Sequence, residues 1–129
     1  MPRSAREPLW LNRTIIDAIH HTQIIEHGGL SGIRDENALE SALARPRHKS
    51  VYGNVRDLNV LAAAYGFGIV TNHPYVDGNK RVGFLAIVTF RGINGRSFNA
   101  PDAAVLDAIL GLASGRISEE QLGAWIRRS

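Results

Sequence analysis

Nine consecutive residues, His73-Pro74-Tyr75-Val76-Asp77-Gly78-Asn79-Lys80-Arg81, place an imidazole, a carboxylate, a glycine turn, a carboxamide and two adjacent cations in one short stretch. An apolar segment, Val82 to Phe90, follows at once and reads as a buried helix. A titratable base, a hard-cation ligand and an anion-receiving helix start are the parts that phosphate-transfer chemistry needs. Pro74 fixes its own φ and biases His73 away from helix, so the preceding helix is expected to end near Asn72. Asp77-Gly78 signals a turn with φ > 0 available at Gly78, and Asn79 falls where an N-cap is preferred. Lys80 and Arg81 then sit in the first helical turn, where cations oppose the helix dipole at about 0.3–1 kcal/mol each unless an anion neutralises them. A bound phosphate resolves that conflict: Arg81 offers a bidentate fork and Lys80 a mobile point charge. Asp77, the sole carboxylate of the stretch, is the expected Mg²⁺ contact, with water and phosphate oxygens completing the shell. His73 is the candidate general base for a target hydroxyl, because imidazoles exchange protons near neutrality.

Taken singly, each feature has an ordinary reading. His-Pro is a turn, Asp-Gly a loop and Lys-Arg a solvated pair. Their joint occurrence directly before an apolar helix is the specific signal.

The stretch resembles the signature loop of the Fic/Doc (Fido) family, His-Pro-Phe-x-Asp-Gly-Asn-Gly-Arg followed by a second Arg three residues on. Tyr75 stands for the Phe, Lys80 for the last Gly and Phe84 for the second Arg. The latter two departures mark the Doc branch, the death-on-curing toxins of bacterial toxin–antitoxin pairs. His27-Gly28-Gly29-Leu30-Ser31-Gly32, the Asp35–Ala44 segment, Arg91-Gly92-Ile93-Asn94-Gly95 and Ala113-Ser114-Gly115-Arg116-Ile117-Ser118 also resemble Doc-type segments, in Doc-type order, so the likeness covers about residues 12 to 128. It implies an all-α bundle and an ATP- and Mg²⁺-dependent enzyme in which His73, Asp77, Lys80 and Arg81 are catalytic. Gly78, Asn79, Lys80 and Arg81 would hold phosphate, and Asp77 would touch the metal. Most proteins similar to this motif transfer AMP. Here Lys80 would intrude on the space of the terminal phosphates and Phe84 cannot bind them. The resemblance to the Doc branch implies instead a kinase that passes the γ-phosphate to a threonine of elongation factor Tu. AMP transfer is the alternative, and a catalytically silent antitoxin-binding module is the non-enzymatic one.

The elements that must position this loop are legible from periodicity and caps. A loose arm is expected over residues 1–8. Asn12 caps a first helix carrying Ile15, Ile16, Ile19, Ile24 and Ile25 and ending at Gly28-Gly29. His20, His21 and His27 lie on it without converging ligand spacing, so they read as surface or satisfied core side chains. Asp35 caps a second helix to about Ala44, stopped by Arg45-Pro46. Residues 46–55 are expected as an irregular connection, a hairpin-like flap by the resemblance, with Gly53-Asn54 as its turn. Asp57 caps a third helix with Leu58, Leu61, Ala62, Tyr65 and Ile69 inward, and Gly66 and Gly68 permit close packing. The helix of about 80–91 is apolar nearly all round and is expected to be central. Pro101 opens a fifth helix with Val105, Leu106, Ile109 and Leu110, and Ser118 to Gln121 is a capping box for a sixth.

At 129 residues, 44% hydrophobic and 21% charged, the chain fits a single ordinary globular domain spanning 1–129. It has no cysteine, which excludes thiolate chemistry and suits a reducing cytoplasm. No apolar leader or membrane-length run is present. A net charge of +3, with scattered Arg and Lys, argues for a mildly basic surface rather than direct nucleic-acid binding. Inhibitory helices of Fic proteins have the form Ser/Thr-x-x-x-Glu-Gly/Asn. Thr22 with Glu26, and Ser31 with Asp35, are only near misses. Inhibition is thus expected from a separate prevents-host-death type antitoxin whose disordered C-terminus folds into an apolar groove.

Overall fold

A computed structural model describes residues 7–129, which form six helices: α1 (Arg13–His27), α2 (Glu36–Gly53), α3 (Leu58–Asn72), α4 (Asn79–Ile93), α5 (Asp102–Ala113) and α6 (Glu119–Arg127). Most of the expected arm lies outside the described residues. Its last member, Pro8, is buried rather than loose, and the adjacent Leu9 is tied through its backbone N–H and C=O to the Asn94 carboxamide at 2.8 and 3.0 Å. The all-α expectation holds.

Four of the six helices begin where a side chain satisfies their free N–H groups. Asn12 accepts from Ile15 N, Asp35 from Ala38 N, Asp57 from Asn59 N, and Ser118 forms the full capping box with Gln121. α4 and α5 have no side-chain cap.

Two expectations fail for identifiable reasons. α2 does not stop at Pro46 but runs through it to Gly53, so no hairpin forms over residues 46–55. An interior proline costs a helix about 3 kcal/mol, and tertiary contacts on this turn offset it. Pro46 itself is buried, the Arg45 guanidinium lies 4.8 Å over Phe67, Arg45 and Lys49 both pair with Glu119 of α6, and Arg47 lies 5.6 Å over Trp10. Gly53-Asn54 is then a helix stop. Asn54 takes the left-handed conformation (φ 52°) and its N–H bonds Lys49 O.

The second correction concerns which helix is central. α3, not α4, packs against α2, α4, α5 and α6, and its buried residues run all round it, from Leu61 through Val70. α4 is amphipathic in practice: Val82, Ala86, Ile87 and Phe90 are buried while Lys80 and Arg81 are exposed. The two helices meet through glycines. A Cβ on Gly66 would fall 2.5 Å from Ile87 Cδ1, and one on Gly83 would fall 2.6 Å from Val70 Cγ2. This close seam sets the spacing between the end of α3 and the start of α4, and the signature loop bridges the two.

Candidate active site

The loop runs from the C-cap of α3, His73, to the N-cap of α4, Gly78. α3 ends at Asn72 as expected, but His73 adopts a left-handed conformation (φ 49°, ψ 56°) rather than an extended one. For a non-glycine residue this is strained by roughly 1–2 kcal/mol, so the surroundings must impose it. Arg34 does so, donating from Nε to His73 O at 2.6 Å and from Nη2 to Asn72 O at 2.8 Å. Those carbonyls are the unsatisfied C-terminus of α3. The segment carrying Arg34 is stitched to the loop by an antiparallel bridge between Ile33 and Tyr75. Arg34 N and Asp35 N reach Pro74 O, and Val76 N reaches Gly32 O. The strip that lies over the loop is therefore residues 28–35, between α1 and α2, and not 46–55.

Asn79 is not the N-cap of α4. It is the first helical residue, buried, and it turns back into the loop, accepting from Tyr75 N and donating to Tyr75 O, both at 2.9 Å. Because Tyr75 N can only donate, the carboxamide orientation is fixed and its NH₂ faces His73 Nδ1 at 3.3 Å. Nδ1 must then be an acceptor, and neutral His73 carries its proton on Nε2 in this arrangement. Tyr75 is pinned from its other side. Its ring stacks on His20 with centroids 3.8 Å apart, and its hydroxyl donates to Asp17 Oδ1 at 2.7 Å. Burial, followed by that carboxylate, raises its pKa well above the ordinary phenol value. His20, buried on α1, also contacts Asp77 O through Nε2 at 2.9 Å. It is a satisfied core histidine that fixes the loop, as a non-ligand reading allows.

Asp77 is exposed, with Oδ2 accepting from Leu30 N at 2.8 Å. This hydrogen bond leaves Oδ1 directed to no protein donor among the described residues. The close approach requires Gly29 (φ 112°), where a Cβ would lie 3.3 Å from Asp77 Cβ. Gly78 supplies the expected left-handed turn (φ 85°), and the next backbone bond is Val82 N to Gly78 O. The first-turn N–H groups of α4 thus face outward without a cap. Lys80 and Arg81 beside them are exposed and form no ion pair among the described residues. Phe84 is half-buried, edge-on to Phe98 at 5.5 Å.

The geometry brings His73, Asp77, Gly78, Lys80 and Arg81 to one exposed rim and draws Asn79 beneath it. His20, Asp17 and Arg34, which hold that rim, carry no local sequence signal, because their partners lie 38 to 58 residues away. The rim suits an anion and a hard cation together. Uncapped N–H groups and two unpaired cations would take phosphate, and the free oxygen of Asp77 would take one position on Mg²⁺. Among the described residues no three His, Asp or Glu side chains converge. A cation here would draw most of its ligands from water and phosphate, as Mg²⁺ does.

Fold and rim together define a helical domain that carries one imidazole, one carboxylate and two cations on an exposed loop between α3 and α4. The family described as the Fic/DOC family matches residues 10–91. "Protein kinase doc" of Escherichia phage P1 is 30% identical over 112 residues, covering 86% of this chain and 87% of that protein. "Toxin Doc" of Mycolicibacterium smegmatis is 42% identical over 73 residues, 55% of each chain. The chain belongs to the Fic/DOC family, on its Doc branch.

Proposed function

We propose that this chain is a toxin kinase that transfers the γ-phosphate of ATP to a serine or threonine hydroxyl of a translation factor, elongation factor Tu by the family resemblance. The observation that carries the reading is the uncapped start of α4, with unpaired Lys80 and Arg81 beside Asp77 and His73. The relative named a protein kinase supports the reaction class. Arg81 grips a phosphate in a bidentate fork, Lys80 neutralises charge that develops in transfer, and the N–H groups of the first turn orient the remaining oxygens. Mg²⁺, held in part by Asp77, would supply further charge neutralisation on the phosphates.

His73 accepts the hydroxyl proton as the oxygen forms its bond to the γ-phosphorus, and the bond to the bridging oxygen breaks to release ADP. The lone pair needed is the one on Nδ1 that faces Asn79. Freeing it requires the exposed ring to turn away from a single long hydrogen bond, at a cost of about 0.5–1.5 kcal/mol. The target segment lies along the 28–35 strip, where exposed Leu30, Ile33 and Val76 flank the loop. With no matching inhibitory helix in the sequence, a separate prevents-host-death type antitoxin restrains the enzyme in the cytoplasm. Among the described residues no helix is long and apolar enough to cross a membrane.

The test is incubation of the purified chain with ATP, Mg²⁺ and bacterial lysate, followed by intact-mass analysis of the translation factors. A phosphate adduct is expected. AMP adducts alone would replace the kinase with the AMP-transferring alternative, and no adduct with no nucleotide binding would leave a silent binding module.

A further inference from the structure

Arg91 lies on α4 twelve residues beyond Asn79, about 18 Å along the helix at 1.5 Å per residue. It is 8% exposed, and its Nε is buried without a hydrogen-bond partner. Only Nη1 is engaged, donating to Ile126 O at 3.1 Å, while the guanidinium stands 5.8 Å from the Phe98 ring. The guanidinium edge that normally forms two parallel bonds to phosphate or carboxylate is therefore unused among the described residues. Arg91 is among the residues that line a recess of about 670 Å³, together with Arg56, Arg96 and Arg127.

The recess holds two carboxylates. Asp57 is already engaged by Arg127 and by Asn59 N, and Glu7 is exposed at the edge. Asn94, also in the lining, has its carboxamide occupied by Leu9 and by Phe90 O. Cations in the last turns of α4 and α6 complement the helix dipoles, which accounts for charge at Arg91 and Arg127. It does not account for the burial of Arg91 with Nε unmet, nor for Arg56 and Arg96 around the same hollow. Burial, and secondarily the charge of Arg96, pull the Arg91 pKa down. A cation held in that state gains most from an anion.

We propose that this recess is a second anion site, distinct from the signature loop, and that it binds a small molecule carrying two or more phosphates through Arg91, Arg96 and Arg56. Its volume falls within the range of small-molecule pockets. Its cations are guanidinium groups, which match phosphate oxygens in bidentate fashion. A nucleoside polyphosphate and an inorganic polyphosphate share this chemistry.

The experiment is a titration of the nitrogen-15-labelled 129-residue chain with inorganic pyrophosphate, and in parallel with ATP, followed through the arginine Nε–H signals and the backbone amide of Arg96. Saturable shifts at Arg91 and Arg96 are expected. Arg96→Gln, an exposed change that leaves the Arg91 bond to Ile126 in place, should weaken the apparent affinity about tenfold or more, the scale of a lost charge-assisted hydrogen bond, with an unaltered melting temperature. In an Arg81→Ala background the loop signals should stop responding while those of Arg91 persist, which separates failure here from failure of the kinase reading. Saturation by ATP alone would narrow the ligand to a nucleotide within the proposed class. Shifts that never saturate and are reproduced by sodium chloride would overturn the site. So would an unchanged affinity in Arg96→Gln, or saturation by a glutamate-rich peptide but not by either phosphate compound.

Discussion

Asn79 illustrates how a residue expected to hold phosphate can instead be turned back into its own loop. Its carboxamide closes the loop on Tyr75 through two hydrogen bonds, so it governs where the backbone that carries His73 sits, even when the imidazole has turned away to act as base. Asn79→Ala should therefore reduce kcat about 100-fold, the effect of misplacing a reacting group by an ångström, with little change in ATP affinity by calorimetry. Arg81→Ala should do the opposite, weakening ATP by about 1.5–3 kcal/mol. If calorimetry showed the reverse pattern, with Asn79→Ala losing ATP, the carboxamide would be a direct phosphate ligand. His73→Ala should lower transfer by about 10²–10⁴-fold, the range for removing a general base, while ATP still binds. The identities on the rim were legible because His73, Asp77, Lys80 and Arg81 are neighbours in the chain and their types alone state a chemistry. The direction in which Asn79 points was not legible, since a cap position and a first-turn position differ by one residue and only the buried contacts to Tyr75 decide between them. Arg34 was equally hidden: it acts on carbonyls 38 and 39 positions away.

At the scale of elements, the seam between α3 and α4 controls the ends that the loop joins. Gly83→Ala would normally gain helix propensity of roughly 1 kcal/mol, yet its new methyl would press on Val70 Cγ2, a branched group with little freedom to move, and sit 3.4 Å from Gly66 O. Overpacking of this kind costs about 1–3 kcal/mol, so a net loss of up to about 2 kcal/mol is expected in urea denaturation, with lowered transfer activity because the loop anchors move apart. A stabilised Gly83→Ala variant would mean that the seam is looser than the geometry indicates. Caps at Asn12, Asp35, Asp57 and Ser118 were readable because each is a local side chain bonding its own helix start. The continuation of α2 through Pro46 was not, because the forces that hold it come from Phe67, Trp10 and Glu119 on other elements. Hydrophobic content likewise misranked α4 over α3. A run of small residues, Ala62 to Ala64 with Gly66 and Gly68, lets α3 be surrounded at close range, which bulk apolar character does not reveal.

For the whole molecule, two buried phenols tie the first helix and the segment before it to the centre, and they set an alkaline limit on stability. Tyr65 is fully buried and its hydroxyl accepts from Leu11 N at 3.0 Å. Burial pushes its pKa up to about 12 from the ordinary 10, against smaller opposing effects of the Leu11 N–H and the Arg47 charge. Tyr75 is raised as well, by burial and then by Asp17. In both cases the folded protein holds the phenolic proton more tightly than the unfolded chain does. Between about pH 10 and pH 12 the folded state therefore carries more bound protons, and the linkage slope of stability with pH is negative. The stabilisation is complete below pH 10 and is lost as pH rises through the folded value, by about 3 kcal/mol for Tyr65 on the two-unit shift. Tyr65→Phe removes the titrating group and leaves Leu11 N without its partner, so it should begin about 1–3 kcal/mol less stable at neutral pH. From there its decline with alkali should be shallower. Urea midpoints measured at pH 8, 10 and 11 distinguish the two chains: the wild-type curve should fall toward that of Tyr65→Phe. Curves that stay parallel across this range would show that the Tyr65 phenol does not carry the alkaline transition.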